Sequence, residues 1–430
     1  MTNTTFRYDS SEEQESRALL VTVQTPDIDK QLAKYHQSEL KSLVSTLGMP
    51  IIDSIIVTLR EPNAAFLLGT GKMAEIIELA EELEAECIVI DHDLSPSQQR
   101  NWEKQSEGAV IDRREVILQI FADRASTREA VLQAALAQQE YSMPRLTRAW
   151  THLSRQRGGT KGTRGEGETQ LEVDRRIALK KISRLKEELK KVIAHRDTQR
   201  KQRRNLPVPT GSIVGYTNAG KSSLIHALTD ADVLIENKLF ATLDPTTRKI
   251  VLPGGAEVLV TDTVGFVQKL PHNLVEAFKS TLEETKYSDF IIHVIDAAHP
   301  DALNCYKTTM EVLESLGCQD KPMLLVFNKM DLVEERIHLN SIMEKHEHAV
   351  FISIKENSGL EELLEKVSAI LSNVYPEEIY LFPPDRYDLV ALIKRNGSIL
   401  KETYGDNGIT IHARIPERLK NSLSNFVFVH

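Results

Sequence analysis

The sequence predicts a multidomain α/β protein, with a helical arm between two α/β domains and a small α+β domain at the end. At 430 residues the chain exceeds one ordinary hydrophobic core. Short apolar runs alternate with amphipathic stretches from Arg17 to about Ala125, and again from Ser212 to about Asn373, which is typical of βαβ units and parallel sheets. A heptad pattern of apolar residues separates these two stretches.

The composition is that of a soluble globular protein, with 41% hydrophobic and 27% charged residues. The opening stretch is polar and acidic, without the apolar segment of a signal peptide, and no apolar run approaches the ~20 residues that span a bilayer. The three cysteines, Cys87, Cys305 and Cys318, form no CxxC pair. We therefore expect a protein of the reducing cytoplasm, and nothing in the sequence requires more than a monomer.

The predicted N-terminal α/β domain covers residues 1–126. Its predicted strands are RALLVTV (17–23), IIDSIIVTL (51–59), AAFLLGTG (64–71) and CIVIDHD (87–93), with a helix over 27–48 and helical patterns after the last two strands. The GTGK stretch at 69–72 lacks the spacing of a Walker loop, so we interpret it as a glycine turn, and another nucleotide site in this domain is left open. His92 and His299 lie near predicted strand ends without metal-ligand spacing, and we predict that both are surface residues.

The predicted arm covers residues 127–204. TREAVLQAALAQQEY has helical periodicity, and after RQRGGTKGTRGEGETQ (155–170) apolar residues recur every seven positions. Two helices joined by a glycine-rich loop predict an antiparallel hairpin with a coiled-coil seam, and a plain spacer between domains is the alternative. The heptad residues are Leu171, Ala178, Leu185 and Val192.

The net charge of −9 argues against nucleic acid if taken alone, but the basic residues are unevenly distributed. From Arg145 to Arg204 there are 19 Lys and Arg against 7 Asp and Glu, an excess of +12. A basic segment beside a glycine loop indicates a surface that binds a polyanion, whereas the alternative is a solvated helix face. The predicted RNA-binding residues are Arg155, Arg157, Lys161, Arg164, Arg175 and Arg176.

GYTNAGKS at 215–222 fits the GxxxxGK[ST] pattern of a phosphate-binding loop, between a predicted strand (SIVG) and a predicted helix (SSLIHAL). The glycines let backbone N–H groups surround phosphate oxygens, the lysine reaches the β- and γ-phosphates and stabilises their charge, and the serine hydroxyl binds Mg²⁺. The predicted nucleotide-binding residues of this loop are Gly215, Tyr216, Thr217, Asn218, Ala219, Gly220, Lys221 and Ser222. They open a predicted P-loop domain over 205–374.

Three further stretches follow in the order that a guanine-nucleotide site requires. VLVTDTVG ends in Asp262, which can hold Mg²⁺ through water, and Gly265, which can donate its N–H to the γ-phosphate. PMLLVFNKMD ends in Asp331, whose carboxylate can accept two hydrogen bonds from guanine but not from adenine. The third stretch, the fifth element of the site, lies at the end of the apolar run AVFISI (349–354) and is predicted to pack against the base. The predicted nucleotide-binding residues of the three stretches are Asp262, Thr263, Val264 and Gly265, then Asn328, Lys329, Met330 and Asp331, and at the fifth element Ser353, Ile354 and Lys355.

Two features of this site stay open in the sequence. FATLDPTT (240–247) offers Thr242, Thr246 and Thr247 as a second hydroxyl for Mg²⁺, and spacing alone does not separate them. Phe266 follows Gly265 where many GTPases have a glutamine that orients the attacking water. Either a partner accelerates hydrolysis, or Phe266 anchors the loop in an apolar pocket while another residue does the chemistry; no residue of the chain can be named as the catalytic base.

The predicted C-terminal domain covers residues 375–430. Three prolines, Pro376, Pro383 and Pro384, mark its start. SILKETYG and GITIHARI are strand-like runs around GDNG, which is a strong hairpin signal. We therefore predict a small α+β domain.

The motifs together resemble the HflX family of translation-factor-class GTPases. GYTNAGKSSL, FATLDPT, DTVGF and NKMD are similar to that family, and GGTKGTRGEGETQLEVDRR (158–176) is the most specific match. The similarity runs from about residue 17 to the end and is strongest over 140–270. Two residues depart from the family pattern: Glu166 stands where a proline is expected, and Ile354 replaces the usual alanine.

The resemblance implies a P-loop GTPase with Mg²⁺ as its cofactor, and Thr242 as the second hydroxyl on that ion. It extends the nucleotide contacts to Phe240, Ala241, Thr242, Leu243 and Asp244. It also implies a partner, the large ribosomal subunit, and an activity that splits or rescues stalled ribosomes under stress. A GTPase of ribosome assembly or RNA modification, and a GTP-dependent docking protein with incidental hydrolysis, are the competing hypotheses.

Overall fold

A computed structural model describes residues 17–145, 166–203, 208–229, 246–253, 255–266, 284–335, 339–343, 346, 349–374, 377–396, 398–405, 408–415, 419–420 and 423–428. The chain divides into two units. The first contains residues up to 123 together with 140–178, and the second contains 124–139 together with the chain from 179 onward. Among the described helices, none combines the length and the apolar character that crossing a bilayer requires.

The first unit is built on a parallel sheet. Its elements are β1 (Ala18–Gln24), α1 (Lys30–Thr46), β2 (Ile51–Thr58), α2 (Thr70–Glu82), β3 (Cys87–Ile90), α3 (Pro96–Ser106), β4 (Ala109–Asp112) and α4 (Arg113–Arg124). The strand order is β2-β1-β3-β4, with every neighbouring pair parallel. Six of the seven residues of β1 are buried, as expected of a central parallel strand covered on both faces. The α/β prediction for this part of the chain is confirmed.

The predicted strand at 64–71 is wrong. Asn63 and Leu67 exchange both backbone hydrogen bonds, at 2.7 and 2.8 Å, and so close a tight loop. The Asn63 side chain accepts from the N–H groups of Ala65 and Phe66, and Leu67 takes a left-handed φ of 68°. Hydrogen bonds from the Asn63 side chain therefore favour a loop here, although the apolar residues are typical of a strand. The true fourth strand, β4, has only four residues and was not predicted.

The described part of the segment predicted as the arm contains the α-helices α5 (Arg128–Ser142) and α6 (Glu166–Arg203). Within α6 the heptad residue Ala178 is buried, as is Ile182 between the heptad positions, and the heptad residues Leu185 and Val192 are half-buried. The helical periodicity is therefore confirmed. Residues 155–165 of the predicted glycine loop lie outside the described residues, whereas residues 166–170 begin α6 and are helix, not loop. Pairing of the helices as a hairpin stays a prediction.

The second unit contains a six-stranded sheet. Its elements are β5 (Thr210–Gly215), α7 (Lys221–Thr229), β6 (Thr246–Val251), β7 (Glu257–Asp262), β8 (Phe290–Asp296), α8 (Ala302–Ser315), β9 (Met323–Asn328), α9 (Asn340–Met343), β10 (Ala349–Phe351) and α10 (Leu360–Val374). The strand order is β10-β9-β8-β5-β7-β6; β6 is antiparallel to β7, and the other neighbouring strands are parallel. The loops after β5, β7, β8, β9 and β10 therefore meet at one edge, where open α/β sheets bind ligands.

The chain ends in a small antiparallel sheet. Its elements are β11 (Glu377–Phe382), α11 (Tyr387–Asn396), β12 (Ser398–Gly405) and β13 (Gly408–Arg414), in the strand order β11-β13-β12. Gly405 pairs with Gly408 across the predicted hairpin. Gly408 has a φ of 127°, and a side chain there would overlap the carbonyl of Phe382. The α+β prediction for this segment is confirmed.

Candidate nucleotide-binding site

The loop from Gly215 to Ser222 joins β5 to α7 and is packed too tightly for side chains at its two glycines. Gly215 and Gly220 have φ angles of 148° and 98°. A Cβ on Gly215 would overlap the Val294 carbonyl, and one on Gly220 would overlap the Asn328 amide. Asn218 also takes a left-handed φ, of 61°, which asparagine tolerates better than most residues. The glycine spacing that suggested a phosphate-binding loop therefore has a steric cause.

Lys221 begins α7 with its side chain folded back over this loop. It is 7% exposed, and its Nζ donates to the Tyr216 carbonyl at 2.8 Å. Burial lowers the pKa of Lys221 to about 8, and the Asp262 carboxylate partly opposes this effect. An ammonium group has three donors, so Lys221 can bind phosphate oxygens while it keeps the bond to Tyr216.

Ser222 and Asp262 bring two oxygen ligands together. Ser222 Oγ donates to Asp262 Oδ2 at 2.7 Å, and Asp262 is 3% exposed at the end of β7. A hydroxyl and a carboxylate are hard oxygen ligands of the kind that Mg²⁺ prefers. These residues therefore fit the expected ion; the direct role of Ser222 and the water-mediated role of Asp262 stay predictions.

Thr246 and Thr247, the alternative hydroxyl ligands, lie in β6. Thr247 Oγ1 is 2.9 Å from Thr261 Oγ1, and Thr246 pairs with Asp262 across the two strands. Thr242 and its neighbours Phe240, Ala241, Leu243 and Asp244 lie outside the described residues. The assignment of Thr242 to the metal stays a prediction.

The segment Thr263–Phe266 is bonded to the strand and loop beside it. Thr263 Oγ1 donates to the Ile213 carbonyl at 2.6 Å, and Val264 is buried. Phe266 N donates to the Gly215 carbonyl at 3.1 Å, and its carbonyl accepts from Thr217 N at 2.7 Å. A side chain on Gly265 would overlap both Lys221 and Thr217. The glycine is therefore required by close packing against the phosphate-binding loop.

The Phe266 ring points into the protein interior. It is 2% exposed and packs in an apolar cluster that also contains Tyr216, Ile291 and Leu313. This is the anchoring role that the sequence left as one of two alternatives. The phenyl ring has no hydrogen-bonding group and lies within this apolar cluster. Phe266 therefore does not activate the attacking water.

Asn328 and Ala219 connect the end of β9 to the phosphate-binding loop. Asn328 Nδ2 donates to the Ala219 carbonyl at 2.8 Å, and Asn328 Oδ1 accepts from Ile354 N at 3.3 Å. Met330 N donates to the carbonyl of Ile352 at 3.2 Å. Asn328 therefore holds three separate stretches of the predicted site in one arrangement.

Asp331 is positioned by the fifth element. Ser353 Oγ donates to Asp331 Oδ1 at 2.7 Å, and Lys355 Nζ lies 3.8 Å from Oδ2. The hydrogen bond from Ser353 is the main cause of a lowered Asp331 pKa, to which Lys355 also contributes. An ionised carboxylate can accept two hydrogen bonds from guanine, so the geometry fits the predicted base.

Three family models match the chain in succession. The model described as GTP-binding GTPase N-terminal matches residues 34–122, that of GTP-binding GTPase Middle Region matches 124–203, and that of 50S ribosome-binding GTPase matches 210–329. The protein named GTPase HflX from Akkermansia muciniphila is 46% identical over 433 residues, which cover 98% of this chain and 99% of that protein. The chain belongs to the HflX family of GTPases. It is therefore a GTP-hydrolysing enzyme.

A second member of the HflX family and one solved structure agree with this assignment. GTPase HflX of Escherichia coli is 39% identical over 95% of this chain and 95% of its own. The crystal structure of SsGBP in complex with GDP matches with a TM-score of 0.50 and 25% identity, over 84% of this chain and 99% of that one. The resemblance seen in the motifs is confirmed.

Asp296 is a residue of the site that the sequence did not reveal. It ends β8, and its Oδ2 accepts from Lys329 Nζ at 2.6 Å, while Oδ1 accepts from Ala298 N at 3.1 Å. Lys329 itself has a left-handed φ of 63°. The available signal was position, because Asp296 stands at the carboxyl end of a central parallel strand.

The surface prediction for His299 is wrong. His299 is 5% exposed, and its ring packs edge-on against Tyr216 with a centroid distance of 5.9 Å. Its Nδ1 accepts from Asp301 N at 2.9 Å, and Nε2 lies 3.4 Å from Cys305 Sγ. The turn after β8 thus places His299 beneath the phosphate-binding loop, a long-range contact that local sequence does not encode.

The predicted RNA-binding residues of this HflX-family chain are divided by what the structure describes. Arg175 and Arg176 are exposed on α6. The other four, Arg155, Arg157, Lys161 and Arg164, lie outside the described residues. Their role stays a prediction.

Proposed function

We propose that this GTPase binds the large ribosomal subunit, that the subunit stimulates its GTP hydrolysis, and that it separates or rescues stalled ribosomes under stress. The match of residues 210–329 to 50S ribosome-binding GTPases supports the choice of partner. The basic excess from Arg145 to Arg204 supports contact with ribosomal RNA. A cytoplasmic location follows from this partner.

The buried Phe266 ring is the observation that carries the proposal of partner-stimulated hydrolysis. A side chain turned into the apolar cluster cannot position the attacking water. Partner-supplied stabilisation accelerates other GTPases by about 10³–10⁵. We therefore expect slow hydrolysis by the chain alone and fast hydrolysis on the ribosome.

The chain's own residues bind and orient the nucleotide in this proposal. Lys221 binds the β- and γ-phosphates, and Gly265 N–H contacts the γ-phosphate. Ser222 and Thr242 would hold Mg²⁺ directly and Asp262 would hold it through water, and the bound ion would neutralise phosphate charge. Asp331 binds the guanine edge, assisted by Ser353.

The glycine-rich loop is the proposed RNA-contacting segment. Arg155, Arg157, Lys161 and Arg164 stand among glycines that permit close approach to phosphates. Arg175 and Arg176 extend the basic surface onto α6, where both are exposed. Contacts of this kind weaken as salt is raised, because binding releases counterions from the RNA.

The test is the rate of GTP hydrolysis with and without purified large subunits, at low and high salt. We expect strong stimulation that falls with salt. A variant that neutralises Arg155, Arg157, Lys161 and Arg164 should bind the subunit weakly while its GTP affinity is unchanged. The matched control neutralises four exposed residues of the N-terminal domain, Lys30, Lys34, Lys41 and Arg60, and should bind normally.

Each part of the proposal has an outcome that contradicts it. Absence of stimulation would contradict activation by the subunit, and normal subunit binding by the loop variant would contradict the RNA assignment. Ribosome separation is measured by sedimentation of stalled 70S particles with GTP. Preference for immature particles over mature subunits would identify an assembly factor instead.

A further inference from the structure

Thr217 carries a buried hydroxyl group that the site described above does not use. It occupies the third position of the phosphate-binding loop and is 6% exposed. Within the part of the chain that the structure describes, its Oγ1 atom has no hydrogen-bond partner. Buried hydroxyl groups are nearly always paired, since leaving one unpaired costs free energy. A ligand that brings an acceptor to this point would remove that cost.

The Thr217 side chain lies where Lys221 and Gly265 converge. A Cβ built on Gly265 would stand 2.8 Å from Thr217 Cγ2 and 2.8 Å from Lys221 Nζ. The threonine side chain, the ammonium group and the glycine backbone therefore border the same small space. The latter two are the groups that we propose to bind the terminal phosphate.

The backbone of Thr217 is already engaged. Its N–H donates to the Phe266 carbonyl at 2.7 Å, so this amide is directed at the segment after Gly265. The hydroxyl is therefore the group with which Thr217 can donate a hydrogen bond to a ligand. The Phe266 side chain is apolar and buried, so it does not compete with a ligand for the Thr217 hydroxyl.

We propose that the Thr217 hydroxyl donates a hydrogen bond to the terminal phosphate of GTP and so helps the protein to distinguish GTP from GDP. The inference rests on the proposed phosphate-binding roles of Lys221 and Gly265. GDP lacks the acceptor, and the hydroxyl stays unpaired in its complex. A hydrogen bond to a charged group is worth about tenfold to hundredfold in affinity.

The test compares Thr217→Val, which keeps the shape but removes the hydroxyl, with Thr217→Ser, which keeps the hydroxyl. Dissociation constants are measured for GDP and for the β,γ-imido analogue of GTP. We expect the valine variant to lose about tenfold or more in affinity for the analogue and less than about twofold for GDP. The serine variant should retain most of the preference for the analogue.

Thr309→Val is the matched control. Thr309 is a buried threonine of α8, outside the nucleotide site, and its hydroxyl donates to the Cys305 carbonyl at 3.0 Å. Its loss should lower stability without changing the ratio of the two dissociation constants. Lys221→Ala tests the site itself, because a phosphate-binding role requires that it weaken both nucleotides.

Three results would overturn the inference. Thr217→Val could keep the wild-type affinity for both nucleotides, it could weaken GDP and the analogue equally, or Thr217→Ser could behave like the valine variant. The second result would assign Thr217 to the folding of the loop alone. Normal nucleotide binding by Lys221→Ala would instead show that the proposed phosphate site is wrong.

Discussion

Replacing Phe266 by glutamine should not restore a water-positioning residue, and it should destabilise the nucleotide-binding domain. The ring is 2% exposed and packs with buried residues of β5, β8 and α8. Truncating a buried phenylalanine costs about 3–5 kcal/mol, and a buried amide without a partner costs about 1–3 kcal/mol. Glutamine refills part of the space, so we expect a loss of about 4 kcal/mol in the free energy of unfolding.

The assay follows the unfolding transition of the domain that binds nucleotide. That transition is identified as the one whose midpoint rises when GDP is added, because a ligand stabilises the state that binds it. Phe266→Leu is the matched control, with an expected loss of under about 1.5 kcal/mol and near-normal basal and ribosome-stimulated hydrolysis. A Phe266→Gln variant that is as stable as the leucine variant, with basal hydrolysis raised tenfold or more, would refute the reasoning.

Three further predictions concern the nucleotide site. Burial lowers the pKa of Lys221 to about 8 in the free protein, so the amine loses its proton as the pH rises above that value. Because phosphate binds the protonated amine, GTP binding should take up a proton there, and the affinity for GTP should fall between pH 8 and 9. Titration calorimetry in buffers of different ionisation heat measures this uptake, which Lys221→Ala should abolish. Asp296→Asn and Lys329→Ala should each speed GDP release, and the double variant should be no faster than the faster single variant, because the two residues act through one ion pair. Stopped-flow rates in which the two effects add in full would contradict this coupling. Ser353→Ala should weaken GTP by about fivefold through Asp331, and equilibrium binding that is unchanged would exclude this support.

The second α/β domain was predictable because its motifs constrain backbone and side chains together. A glycine is needed at Gly215 and Gly220 for steric reasons, and a strand and a helix must flank the loop. The apolar runs before Asp262 and Asn328 could only be buried parallel strands once that loop was fixed. The sequence pattern and the fold therefore agree where function adds its own constraints.

The errors arose where local and distant contacts decide the structure. The run at 64–71 is apolar, yet the side chain of Asn63 turns the backbone into a closed loop. β4 is too short to stand out from the helices on either side. The burial of His299 depends on Tyr216, which is 83 residues away along the chain (299 against 216). Such pairings exist only in the folded protein.

Phe266 fixes the backbone at Gly265 in place of positioning a water molecule. Its backbone bonds to Gly215 and Thr217, and its ring packs beside Tyr216, so Gly265 cannot move away without breaking all of these contacts. If Gly265 contacts the γ-phosphate as proposed, its position is therefore fixed before nucleotide binds, and the Phe266 side chain supports that position instead of orienting water. A stimulating partner then has no need to reposition Gly265. On the proposal of partner-stimulated hydrolysis, the contribution comes from groups that the partner supplies itself or from residues of the chain other than Gly265 and Phe266.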